Sequence, residues 1–226
     1  MRIYAVADIH GKNKNIEIIY RVIRRESPDV LVIAGDITQY LFPGKTLEGL
    51  EDIPIPILAI RGNSDRKSVE TLLASGKNTT LLTHDPTPFS EGRFLGLNGT
   101  LPLPFLSKIS CRETHHLRLL VPFMNRKTIL VVHPPPRGIC DKVGNRFSAG
   151  SFHLRRFIEN HPPLMVLCGH IHEQAGYQFL KNTVIVNCAM NHKFCGAIID
   201  YEKDMDLKIK MILNNKTSLI KESKNV

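Results

Sequence analysis

Tryptophan is absent from the 226 residues. No apolar run approaches the ~20 residues an α-helix needs to cross a bilayer; the longest, such as 30–34 and 128–132, have the length of strands. The opening stretch Met1-Arg2-Ile3-Tyr4-Ala5-Val6-Ala7 lacks the long apolar core and small-residue cleavage site of a signal peptide and runs straight into Asp8. It reads as a first strand, and the expectation is a cytoplasmic protein with no membrane attachment. The five cysteines (Cys111, Cys140, Cys168, Cys188, Cys195) are odd in number and form no Cys-x-x-Cys pair. That argues against a disulfide framework and against a thiolate zinc site, leaving reduced, small apolar residues. There is also no long basic block and no basic–aromatic array, although the net charge is +9. Arg21, Arg24, Arg25, Arg66, Lys67, Arg126, Lys127, Arg155 and Arg156 are dispersed. Such a surface suits polyanionic substrates, and a nucleic-acid groove is allowed but not favoured.

What is present is a succession of short apolar runs, at 3–7, 30–34, 55–60, 129–132 and 164–168. Each ends at a polar or glycine-containing loop, the pattern of central strands covered on both faces. Between the first two, Asn13–Glu26 carries Ile16, Ile19 and Ile23 at helical spacing and stops at Ser27-Pro28. Residues 67–75 and 151–160 read as further helices, so the class is an α/β sandwich. The last third differs: 177–180, 183–188, 194–200 and 207–213 read as consecutive strands, favouring a second, more antiparallel sheet packed on the first. The Pro- and Gly-rich region 83–126 is the place for a lid or substrate loop. A single domain over 1–213 is expected, followed by a polar tail, 214–226.

The loops after the apolar runs hold the chemistry. They read Asp8-Ile9-His10-Gly11, Gly35-Asp36, Gly62-Asn63, His133-Pro134-Pro135-Pro136 and Gly169-His170-Ile171-His172. Loops at the carboxyl ends of parallel strands converge on one sheet edge, so two Asp, four His and one Asn can meet. Alone, an Asp-x-His triplet or a lone His after a strand is more often structural than a ligand; their joint occurrence, always at a strand end, carries the reading. Carboxylate with imidazole suits Mn²⁺, Fe²⁺ or Zn²⁺. Two such ions ~3.5–4 Å apart clamp a phosphoryl group and bring a shared water toward a pKa of ~7, generating hydroxide. Asp36, in its tight Gly-Asp turn, is the natural bridging carboxylate. Asp8 and His10 can turn toward one ion, and in His170-Ile171-His172 both imidazoles share a side while Ile171 points away.

These residues resemble the calcineurin-like metallophosphoesterase superfamily, whose motif run is D-x-H, G-D, G-N, H and G-H-x-H, with Asp8/His10, Gly35/Asp36, Gly62/Asn63, His133 and Gly169/His170/His172 in the matching places. The stretches "VVHPPPRGICD" and "VLCGHIHE" are especially similar to small prokaryotic phosphoesterases. The resemblance implies a four-layer αββα sandwich of two mixed β-sheets flanked by helices. It implies a phosphoric ester hydrolase with two divalent metals, Mn²⁺ first and Fe²⁺, Zn²⁺ or Ni²⁺ as alternatives. One ion would sit on Asp8, His10, Asp36 and His172, the other on Asp36, Asn63, His133 and His170. The expected substrate is a small phosphorylated molecule, a mono- or diester and nucleotides included; oligomeric state is left open.

The sequence departs from the family pattern in two places. Many members carry His after Gly-Asn, thought to protonate the leaving group or steady the transition state; here Ser64 stands there. Where small members often show Asn-Pro-Gly-Ser, this chain has Asn187-Cys188-Ala189-Met190. A serine hydroxyl is a poor general acid, which points to substrates with leaving groups of low pKa or to a donor brought from elsewhere, with His192 and His84 as candidates. Catalytic roles are thus expected of Asn63, Ser64 and His133, while Ser64 also reads as a helix N-cap. Arg137 is the first candidate to clamp substrate phosphate, followed by Lys142, Asn145 and Arg146. The proline run holds His133, His115 and His116 read as surface, and Cys168 as core. Two rivals remain: a non-catalytic scaffold, disfavoured because all seven ligand positions are filled, and a nuclease.

Overall fold

Residues on both sides of each central strand are apolar, and this double apolarity demands cover on two faces. The computed structural model describes residues 1–39, 43–99, 108–144, 146–201 and 207–214. In chain order the first half contains β1 (Arg2–Val6), α1 (Asn13–Glu26), β2 (Val30–Ala34), α2 (Pro43–Glu51), β3 (Ile57–Ile60), α3 (Ser68–Ser75), β4 (Thr79–Leu81), β5 (Thr87–Phe89) and β6 (Gly92–Leu97). Then come α4 (Lys108–Leu120), β7 (Thr128–Val132), the hairpin β8 (Lys142–Val143) and β9 (Phe147–Ser148), α5 (Phe152–Asn160) and β10 (Met165–Cys168). The last strands are β11 (Gly176–Leu180), β12 (Thr183–Asn187), β13 (Phe194–Tyr201) and β14 (Leu207–Leu213).

Two six-stranded mixed sheets result, ordered β14-β13-β1-β2-β3-β4 and β11-β12-β10-β7-β6-β5. Strand parity builds the layers. Ile3, Ala5 and Ala7, with Val30, Val32, Leu58 and Ile60, face Phe94, Ile129, Val131, Met165 and Leu167 between the sheets. The alternate residues Tyr4, Val6, Leu31, Ile33, Ile57 and Ala59 pack outward on Ile16, Ile19 and Ile23 of α1 and Val69 and Leu73 of α3. On the far side, Leu95, Leu130, Val132, Val166 and Ile185 cover Leu117 and Leu120 of α4 and Leu154, Phe157 and Ile158 of α5. Three apolar seams between four layers make the αββα sandwich that the resemblance implies. No helix of the described residues is long and apolar enough to cross a membrane.

Two expectations are corrected. The four closing strands do not form one sheet of their own: β11 and β12 extend the second sheet, while β13 and β14 cross back and pair antiparallel along β1. Nor do the five loops share one sheet, since β1, β2 and β3 lie in the first and β7 and β10 in the second. They still meet because the sheets are stitched at that end. Ala7 bridges Ala189, with its N–H on the Cys188 carbonyl at 3.1 Å and its carbonyl accepting from Met190 N at 2.9 Å. Region 83–126, expected to hold a lid, contains β5, β6, α4 and part of the core. Residues 100–107, Asn145 and the tail from 215 onward lie outside the described residues.

Candidate metal centre

Each loop turns sharply as its strand ends. Of the eight non-glycine residues with positive φ among the described residues, four are candidate ligands: Asp8 (61°), His10 (51°), Asp36 (52°) and His170 (70°). Asp and His tolerate the left-handed region better than most residues, and strain of this kind concentrates at functional sites. Backbone hydrogen bonds tie the loops together: Asp8 N to Gly35 O at 3.1 Å, His10 N to Asp36 O at 2.9 Å and Gly169 N to His133 O at 2.9 Å. Two glycines are required by contact. A Cβ on Gly62 would lie 2.1 Å from Asp36 Oδ1, and one on Gly169 would lie 2.6 Å from Asp8 Oδ2. Each backbone therefore runs directly beneath a carboxylate, which explains the glycine of the Gly-Asn and Gly-His motifs.

The structure gathers two clusters of candidate ligand atoms: Asp8, His10 and His172, and Asp8, Asp36 and His133. Asp8 Oδ1 stands 3.2 Å from His172 Nε2, 3.8 Å from His10 Nε2 and 4.0 Å from His133 Nε2. Asp36 Oδ2 lies 3.3 Å from His133 Nε2 and 3.9 Å from His10 Nε2. Both carboxylates thus face both sets of imidazoles, so Asp8 shares the bridging geometry anticipated for Asp36. His170 joins neither cluster directly. Its backbone N–H donates to Asp8 Oδ2 at 2.9 Å, and its ring meets that of His133 at 5.1 Å between centroids.

Three buried atoms in these loops have no hydrogen-bond partner: Asp8 Oδ1, Asn63 Oδ1 and His133 Nε2. Leaving one such atom unsatisfied costs ~1–3 kcal/mol, so a shared set of them suits a cation. His133 Nδ1 lies 2.8 Å from the Ala34 carbonyl, where it donates as N–H, so Nε2 is the ring nitrogen that faces Asp36 and the one whose lone pair is freed when the ring is neutral. Burial opposes charge on both His133 and Asp36, but their mutual attraction wins. His133 is raised to about 9 by the two carboxylates, and Asp36 is held well below the usual carboxylate range by His133 and Ser64. Asp8 raises the pKa of His172, whereas burial and then the His133 charge lower that of His170.

Ser64 is not a helix N-cap. The helix α3 begins four residues later, with Lys67 in the cap position. Ser64 instead donates twice to Asp36, from N–H to Oδ1 and from Oγ–H to Oδ2, each at 2.8 Å. Asn63 Nδ2 donates to Ser64 Oγ at 3.4 Å, and its Oδ1 is buried without a partner. Arg137 is exposed and donates to the Ser148 carbonyl of the β8–β9 hairpin at 3.2 Å; that hairpin packs against the turn at His172–Gln174. Lys142 and Arg146 are exposed on the same hairpin. His192 is exposed beside Asn191, whose Nδ2 donates to the His172 carbonyl at 2.6 Å. His84 stacks on His116 with 3.0 Å between ring nitrogens and joins neither ligand cluster, so His116 is not free surface, whereas His115 is exposed. Cys168 is fully buried in the core, as expected.

Sequence reasoning missed two supports. Asp65, 4% exposed, accepts from Ile37 N, Thr38 N, Thr38 Oγ1 and Gly62 N at 2.8–3.1 Å, clamping the Asp36 and Asn63 loops to one another. Its only signal is an acid one turn past Gly-Asn. Asn187, fully buried, donates to the Ile171 carbonyl at 2.9 Å and accepts from Ala189 N at 3.1 Å, bracing the His-x-His turn. Of the family's Asn-Pro-Gly-Ser, this chain thus retains the asparagine, and its side chain does the bracing at the floor of the site.

The fold and this centre define a class. The family model for calcineurin-like phosphoesterases matches residues 1–174, and the chain belongs to that family. Over 219 residues, 91% of this chain and 94% of the other, it is 29% identical to the uncharacterized protein MJ1162 of Methanocaldococcus jannaschii. Among solved structures, TT1561 of Thermus thermophilus superposes with a TM-score of 0.69 at 14% identity, over 93% of this chain and 98% of that one. A dimetal phosphatase from Danio rerio gives 0.62 at 13% identity, over 93% and 95%. At such identities the likeness is one of fold.

Proposed function

We propose that this chain hydrolyses phosphomono- or phosphodiesters of small molecules, nucleotides among them, using two divalent cations held by Asp8, His10, Asp36, Asn63, His133, His170 and His172. The observation that carries the reading is the set of partnerless buried atoms. Of five such side-chain atoms among the described residues, three belong to Asp8, Asn63 and His133. Carboxylate, imidazole and amide oxygen without thiolate suit Mn²⁺ first, with Fe²⁺, Zn²⁺ or Ni²⁺ as alternatives. Cations bound there would acidify a shared water and neutralise charge on a phosphoryl group. The chain's own part is positioning. Ser64 and Asn63 orient the Asp36 carboxylate, the Ala34 carbonyl fixes the His133 tautomer, and Asp65 locks two loops in register. The Danio rerio neighbour, described as a dimetal phosphatase, supports the same reading. The test is one panel: metal content of the purified protein, then turnover of aryl mono- and diesters, cyclic nucleotides and DNA, with Asp36→Ala and His170→Ala as controls. Mn²⁺-stimulated turnover lost in both variants is expected; no turnover on any ester overturns the proposal.

A further inference from the structure

Two open sheets leave four edge strands, β14 and β4 in the first sheet and β11 and β5 in the second. An edge strand offers unpaired N–H and C=O groups to any other chain, and proteins guard it with shortness, proline or lysine. β4 and β5 have three residues each, β5 holds Pro88, and β14 carries Lys208 and Lys210. β11, Gly176-Tyr177-Gln178-Phe179-Leu180, has five residues with neither charge nor proline. Its Phe179 is 66% exposed and its Tyr177 45%.

The pairing with β12 fixes which groups of β11 face outward. The two strands are joined by the two-residue turn Lys181-Asn182, with Lys181 at a φ of 53°. Such a turn is closed by a hydrogen-bonded pair, here Leu180 and Thr183, and bonded and non-bonded pairs alternate beyond it. Gln178 therefore bonds to Ile185, while Tyr177 and Phe179 turn their N–H and C=O groups to the open edge. Their rings share one face, beside Val186 and Val184 of the core between the sheets. The strand thus carries that apolar face outward past the last covered position.

We propose that β11 pairs antiparallel with β11 of a second copy of this chain, about a twofold axis through Gln178. In that register Tyr177 of each copy stands opposite Phe179 of the other, and every outward N–H and C=O of the two residues finds a partner. Each exposed ring gains an aromatic neighbour across the strands, and the second sheets of the two copies join edge to edge. The charges agree with this sense of pairing. Exposed Glu173 precedes β11 and exposed Lys181 follows it, so antiparallel strands set the Lys181 end of each copy against the Glu173 end of the other. The strand is complementary to itself in hydrogen bonding, ring pairing and charge, which is what an isologous twofold contact requires and commits its occupant to a second copy. The proposal is independent of the hydrolase reading.

Sedimentation equilibrium over a range of protein concentrations tests it. The wild type is expected at twice the mass of one chain at micromolar concentration. Phe179→Pro removes an outward N–H, at a place where an edge strand accepts proline. It is expected to raise the dissociation constant at least about a hundredfold, since the contact loses its ring pair and its hydrogen bonds twice over. Lys181→Glu and Glu173→Lys are each expected to raise it about tenfold, two ion pairs being lost by symmetry, and the variant carrying both changes to restore it. The charge variants lie outside the strand and decide the matter if Phe179→Pro does not fold, which urea unfolding checks. A wild type that stays a monomer at high micromolar concentration, or a dimer that the proline and the single charge reversals leave unchanged, overturns the pairing.

Discussion

At the scale of single residues, Ser64 is the most informative position. Both of its donors are spent on Asp36, so it braces a candidate ligand and, on the proposed function, has no donor free for a departing oxygen. General acid catalysis supplies ~10²–10⁴-fold. Alkyl phosphates, whose leaving oxygen is basic, should therefore lag aryl phosphates by about that factor; a flat dependence of rate on leaving-group pKa would count against this role. Ser64→Ala should lower metal affinity ~10–100-fold, the usual effect of losing a group that orients a ligand, as read by cation titration. Asp65 is the corresponding support on the loop side. Asp65→Ala strands three buried backbone donors, from Ile37, Thr38 and Gly62. At ~1–3 kcal/mol for each, unfolding in urea should show a loss of at least about 3 kcal/mol. A loss under about 1 kcal/mol would mean that water replaces the carboxylate. The candidate ligands were legible because each lies in a loop that closes an apolar run. Asp65 and Asn187 were not, because an acid or amide in a loop looks the same whether it braces a neighbour or faces solvent.

At the scale of elements, the seam between the sheets carries the molecule. Phe94 of β6 is fully buried there among side chains from both sheets. Truncation to Ala should cost about 3–5 kcal/mol, measured by denaturant unfolding, and leave the helices α1 and α3 on the opposite face packed as before. The strands and helices that the apolar pattern marked were placed to within a residue or two because burial parity is local: Ile3 and Ala5 face one way and Tyr4 and Val6 the other; α2, β4, β5, β6 and α4, whose runs are interrupted by Pro, Gly or charge, were not. Which sheet the last strands join was not readable. β12 and β13 are both short apolar runs of similar composition, and only pairing across most of the chain length, such as Ile3 with Ile199, sends β13 to the first sheet.

At the scale of the whole molecule, charge and protonation set the working conditions. In the cation-free protein His133 is raised from 6.5 to about 9. A group raised on folding contributes stability that is fully present below its unfolded pKa and lost as pH rises through the folded one. The metal-free protein should therefore lose stability between about pH 6.5 and 9. Asp36, held low, contributes stability that is present above the ordinary carboxylate pKa and is lost only on strong acidification. Because a cation needs neutral His133, its affinity should climb over the same alkaline window in which the free protein weakens. Denaturation at about pH 6, 8 and 9.5, with and without Mn²⁺, checks both slopes. A free-protein stability that rises with pH would contradict the His133–Asp36 pairing. The net charge of +9 adds a salt-sensitive attraction for anionic substrates.

By itself the amino-acid order determined the strand-and-loop alternation and the set of metal-seeking side chains, since apolar periodicity and a turn at each strand end are properties of neighbouring residues. The tertiary structure alone decided three things: that the five loops come from two sheets joined at Ala7 and Ala189, that Ser64 serves Asp36, and that β11 lies at the edge of its sheet. Each depends on segments tens to hundreds of residues apart being held together by the packing of the core, and no local pattern records that.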